Sequence, residues 1–184
     1  MDAFLSKLLT LIHPPSNPPN AVVDWPAVES AIGIQYPPSF KEFITEYGRC
    51  VWFDHFAPFY CATNLPKAIK EYQKTIQQKL VPVKDRIRVD RKRRDDIAVY
   101  PEANGLFPFG IDYSSSVYLW HTVDKNPEKW PIVCWFPSGD TVFLNDMTIS
   151  KMLVLWLTRD PVMTDVWGDR NDLPAERIAI APNT

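Results

Sequence analysis

Residues 106–122 read LFPFGIDYSSSVYLWHT, with apolar runs at 106–109 and 117–120 on either side of a polar stretch holding Gly110, Asp112 and three serines. Aromatic and β-branched residues at this density around a polar turn predict a β-hairpin with a generous loop on a half-buried pleated surface. Apolar runs at 132–136 and 141–144, joined by 137–140, extend the hairpin into an antiparallel meander. The remaining elements need an apolar face to pack against, and this sheet supplies the best one in the chain.

Elsewhere the period is helical. Phe4, Leu5, Leu8, Leu9 and Ile12 predict a short amphipathic helix over 3–12, stopped by Pro14 and followed by a proline-rich connector, 13–20. In DWPAVESAIG, Asp24 caps a helix, Pro26 sits in its first turn and Gly33 closes it, with Val28, Ala31 and Ile32 on the buried side. In PPSFKEFITEYG, two prolines open a helix that Gly48 ends. Phe40, Phe43, Ile44 and Tyr47 form its single apolar stripe. Residues 50–60 are dense in aromatics and predict a strand with an irregular turn. Asn64 is placed to cap a helix over 65–80, whose apolar face is Leu65, Ile69, Tyr72, Ile76 and Leu80. A charged segment follows, then a short strand at 97–100 and a turn at 101–105. The last helix predicted is 149–157, capped by Thr148 or Asp146 and ended by Pro161. Residues 162–184 read as a tail with Trp167 as its anchor. Helices first, then strands, then a helix predict an α+β fold with N-terminal helices on a mostly antiparallel meandering sheet. The organisation expected is an N-terminal helix and connector (1–20), an α+β domain (21–160) and a C-terminal tail (161–184).

Charge sharpens this picture. The net charge is −2, but residues 84–96 hold seven basic and four acidic side chains, leaving 13 basic and 18 acidic elsewhere, net −5. A mildly acidic body thus carries one basic segment. Arg86, Arg88, Arg91, Lys92, Arg93 and Arg94 would suit phosphate contacts, yet Asp85, Asp90, Asp95 and Asp96 are interleaved. A mixed run of this kind reads as a solvated loop or helix end, so nucleic-acid binding is not expected. The three cysteines, Cys50, Cys61 and Cys134, form no CxxC pair and read as buried reduced thiols. The first apolar run carries Asp2 ahead of it and Lys7 within it, unlike a secretory leader, and no run reaches the roughly 20 residues of a membrane span. A cytoplasmic protein with no membrane association is expected.

Nothing in the pattern calls for catalysis, a metal or a cofactor. There is no HExxH, GxSxG, P-loop or GxGxxG, and His13, His55 and His121 have no partner at ligand spacing. Loops vary without harming a core, so the partner-binding candidates are loop residues. They are Trp52, Asp54 and His55; Asp112 and Tyr113 in the hairpin loop; and Asp124 and Glu128 in the turn that follows. Trp25, Gly33, Phe40, Phe43, Gly48, Phe109, Gly110, Trp120 and Trp156 are expected to matter for folding.

WPAVESAIG (25–33) followed by PPSFKEFITEYG (37–48) resembles the opening of the SUKH superfamily. LFPFGID (106–112), YLWHT (118–122) and WPIVCW (130–135) resemble its sheet motifs, and SKMLVLWL (150–157) its closing helix. The superfamily includes bacterial immunity proteins that neutralise polymorphic or contact-dependent toxins, and a fungal regulator of cell-wall synthesis. The resemblance implies a non-catalytic α+β module that binds and inhibits a cognate toxin domain, nucleases being one class of such toxins. Its alternative is a cytosolic regulatory or scaffold protein of the same fold with a non-toxin partner. The proline-rich N-terminus, the basic segment and the tail depart from the simpler family pattern, and the second of these helices ends EYG where many relatives have asparagine before the glycine. Oligomeric state is not legible.

Overall fold

The computed structural model describes residues 2–53, 55–89 and 97–168. Its helices are α1 (Ala3–Leu11), α2 (Trp25–Ile32), α3 (Pro38–Tyr47), α4 (Pro66–Val89), α5 (Ile149–Leu157) and α6 (Pro161–Trp167). Five strands, β1 (Phe56–Pro58), β2 (Leu106–Asp112), β3 (Val117–His121), β4 (Ile132–Trp135) and β5 (Thr141–Leu144), pair in chain order as one antiparallel meander. The fold is α+β.

The hairpin is more buried than its pattern suggests. Every residue of β4, and all of β2 and β3 except Ile111 and His121, is buried, so both sheet faces are covered. A strand sandwiched in this way loses the alternation of a half-solvated one and reads as a continuous apolar run. The ladder slips at Pro108/Gly110, where proline cannot donate and a bulge absorbs the extra residue. Gly110 then passes under the Phe56 ring, which a Cβ would meet at 2.5 Å.

Local chemistry explains the helix ends. Asp24 accepts from Ala27 N (3.2 Å) at the start of α2, and Gly33 closes it at φ 77°. α3 presents Phe40, Phe43, Ile44 and Tyr47 to the core as its spacing predicts. Phe40 fits its edge against Trp120, 5.0 Å between centroids, and Phe109, 6.2 Å, while Trp120 stacks on Phe109 at 4.2 Å. Half-buried Trp25 adds its ring to Tyr36 and Tyr60. These pairs join α2 and α3 to the sheet, and burying one such ring contributes on the order of 2 kcal/mol.

α1 belongs to the same core. Leu5 and Leu8 are fully buried and the helix packs against α5 and α3. Asp2 ties the three together: its carboxylate caps α1 through Phe4 N and accepts from Thr148 Oγ1, the cap of α5, and its own N–H donates to Glu42 of α3. The proline-rich connector is held as well. Tyr47 Oη donates to Ile12 O, Arg49 N to Pro19 O and Tyr60 Oη to Asn20 O.

Five expectations need correction. Ala31 is exposed, because α2 buries only Val28 and Ile32. α4 continues nine residues past Leu80, through Pro82; the proline costs a ladder bond, but fully buried Leu80 and Val83 hold the helix across it. Its apolar face starts at Ile69, since Leu65 is 62% exposed, and Asn64 turns its amide to Asp24. The strand expected at 97–100 contracts to one parallel bridge, Val99 to Leu106. Residues 161–167, read as tail, form α6, capped by Asp160, with Trp167 buried. The basic run 90–96 and residues 169–184 lie outside the described residues.

Candidate partner-binding site

At one end of the sheet the β2–β3 connection is fixed by its first residue. Asp112 Oδ1 accepts from Ser116 N at 2.9 Å, Asp112 N donates to Ser116 O at 3.3 Å and Ser115 N donates to Asp112 O at 3.1 Å. Ser115 takes φ 67°, a left-handed position that tightens the turn. A short acceptor side chain at a strand end folds the chain back onto itself in this way. Asp112 is buried, and the tip it pins, Tyr113–Ser114–Ser115, is exposed, with Tyr113 at 70%.

A second layer holds Asp112. Its Oδ2 accepts from Tyr118 Oη at 2.9 Å, and Tyr118 Oη accepts from Trp167 Nε1 at 2.6 Å. The Tyr118 hydroxyl has its pKa raised, first by burial and then by the adjacent Asp112 carboxylate, so it stays protonated and donates. His55 O accepts from Tyr113 N at 3.3 Å, and its ring lies 5.6 Å from Trp156 and 5.5 Å from Trp167. His55 Nε2 is 3.9 Å from Asp112 Oδ2. Phe56 closes the cluster against Tyr118, at 5.0 Å. The result is a buried carboxylate with two strong donors, surrounded by rings, beneath an exposed polar and aromatic tip.

The structure therefore brings His55, Asp112 and Tyr113 together, but of the three only Tyr113 faces solvent. Trp52, expected in an exposed group with His55, is fully buried against Phe43 and Tyr47, at 5.4 and 4.9 Å, and offers no surface. Its neighbours Val51 and Phe53 are buried too, and aromatic density here signals core rather than a docking patch. Asp54 lies outside the described residues. Asp124 and Glu128 are exposed but sit at the opposite end of β3, so they share no patch with Tyr113. Both also serve the fold. Asp124 O accepts from Trp130 Nε1, and Glu128 Oε2 accepts from Ser39 N, supplying the α3 cap that Pro37 cannot. Pattern alone missed Tyr118 as a support of the loop, and it read Trp167 only as the anchor of a tail, with no link to the loop. The signal available was a lone tryptophan in a stretch otherwise without period.

No group of three or more His, Cys, Asp or Glu able to hold a metal occurs among the described residues. A shallow open groove of about 390 Å³ beside Gly33 includes Glu29, whose Oε1 already accepts from Tyr36 N and pairs with Lys41. Burial pushes the Cys50 and Cys134 thiols up to about 12, the wrong direction for a nucleophile. Among the described residues no helix is long and apolar enough to cross a membrane.

A five-stranded meander packed with helices, with a pinned loop at one end, defines an α+β module. The profile of the SMI1 / KNR4 family (SUKH-1) matches residues 21–154, and the chain belongs to that family. The match runs from ahead of α2 into α5, leaving α1, the end of α5 and α6 outside it. Neither the curated proteins nor the solved structures contain a match to the chain.

Proposed function

We propose that this protein is a cytoplasmic, non-catalytic immunity protein that binds a cognate bacterial toxin domain and neutralises it by occlusion. The family spans toxin-immunity proteins and fungal regulators, and its match across 21–154 is the observation that carries the proposal. The Tyr113–Ser115 tip supports it at the level of residues. A tyrosine brings large contact area with few rotatable bonds, and its base needs no ordering on binding, so little entropy is lost when the partner docks. The acidic body, net −5 outside residues 84–96, complements the basic substrate groove of a nuclease toxin and would speed encounter.

The test is co-expression with the toxin domain encoded in the neighbouring reading frame. Growth is restored and a complex co-purifies when the assignment is right. A pull-down that instead recovers a non-toxin cytosolic protein, with growth unprotected, places the chain with the regulators of the family.

A further inference from the structure

We infer that α6, outside the family match, is the positioning element of the partner-facing loop, and that Trp167 sets the loop through Tyr118 and Asp112. The inference deepens the proposed function and rests on it only for the loop's role, not for its geometry. One hydrogen-bonded chain runs from Trp167 Nε1 to Tyr118 Oη (2.6 Å), on to Asp112 Oδ2 (2.9 Å), and from Asp112 Oδ1 to Ser116 N (2.9 Å). Each member is buried, so a lost donor is not replaced by water and the remaining members must move to recover a partner. Trp167 also closes the ring cluster, 5.9 Å from Tyr118 and 4.9 Å from Trp156, with the α5 indole donating to Gly168 O at 3.3 Å. α5 and α6 are thereby locked to each other and to the loop. The surface so fixed is small, polar and aromatic. It fits a protein partner offering a pocket for the Tyr113 ring with a hydrogen-bonding rim for Ser114 and Ser115.

The experiment is residue-resolved amide hydrogen exchange on the full chain, comparing the parent with Trp167→Phe and Tyr118→Phe. The first removes the indole donor and keeps a ring; the second removes only the hydroxyl, the milder change if the first fails to fold. The expected result is exchange at Ser116 faster by about fivefold in each variant, the loss of one net hydrogen bond, while amides of β4 keep their rates. The double variant is expected to add nothing beyond either single change, because the residues act in series. Unchanged exchange at Ser116 overturns the inference, and so does equal acceleration throughout the sheet, which would make Trp167 a general stabiliser. Toxin binding is read separately with Tyr113→Ala. If it is unaffected there while Ser116 responds as expected, the loop's role fails and the coupling stands.

Discussion

Gly33 and Gly48 both end a helix at positive φ, yet replacing them with alanine should have very different consequences. At Gly33, φ is 77° and ψ 24°, and a Cβ would meet no atom within 4 Å. Only the left-handed backbone is strained, which costs about 1 kcal/mol. At Gly48, φ is 65° and ψ −154°, a region used almost solely by glycine and worth about 1–3 kcal/mol of strain to any other residue. A Cβ there would also stand 2.2 Å from Pro19 O, the atom that accepts from Arg49 N. The connector must retreat, and with it goes that hydrogen bond, about 1 kcal/mol more. Gly48→Ala is therefore expected to lose about 3 kcal/mol or more, and Gly33→Ala about 1. Urea unfolding read by tryptophan fluorescence separates the two. Equal losses would refute the argument, since they would mean that the connector does not press on α3. A Gly48→Ala loss reduced by deletion of residues 1–20 to the backbone strain alone would confirm the clash as the cause of the rest.

Other consequences follow from the same contacts. Phe40→Ala, removing a ring that is 1% exposed among Trp25, Tyr36, Tyr60, Phe109 and Trp120, should cost about 3–5 kcal/mol and lower Tm by roughly 6–20 °C; a melt like the parent's removes it from the core. Tyr113→Ala should leave stability within about 0.5 kcal/mol and weaken toxin binding by about 2 kcal/mol, roughly 30-fold in Kd by titration calorimetry. Stability should fall in alkali. Cys50 and Cys134 ionise near pH 9 when unfolded but only near 12 when folded, so their contribution is full below pH 9 and lost as pH rises from about 9 to 12. Tyr36, Tyr47, Tyr60, Tyr72 and Tyr118, all with pKa raised by burial, act in the same direction. A urea midpoint that holds steady between about pH 8 and about pH 10.5 would contradict this.

Much of the fold was legible because its signals are local. A capping aspartate, a proline in the first turn and a left-handed glycine delimit α2 without reference to the rest of the chain, and the stripe Phe40, Phe43, Ile44, Tyr47 needs only its own spacing. The failures are tertiary. Pro82 ends a helix by local rules, and only the burial of Leu80 and Val83 overrides it. α6 spans seven residues, too short to show a period, and exists because Trp167 has a slot between α5 and β3. The candidate site was legible in part. A polar loop on an apolar hairpin is visible as a pattern, but which of its residues face out depends on geometry. Asp112 turns inward to Ser116 and Tyr118 while Tyr113 turns outward, and neighbouring residues in a sequence carry no label for that choice.

On the proposed reading, the chain neutralises a toxin by docking through the hairpin loop. Co-purification with the neighbouring toxin domain, for the parent and for Tyr113→Ala side by side, tests it most directly. The expected result is a complex and protected growth with the parent, and a weaker complex with weaker protection in the variant at unchanged stability. Absence of a complex with the parent, or a variant that binds and protects as well as the parent, would contradict it.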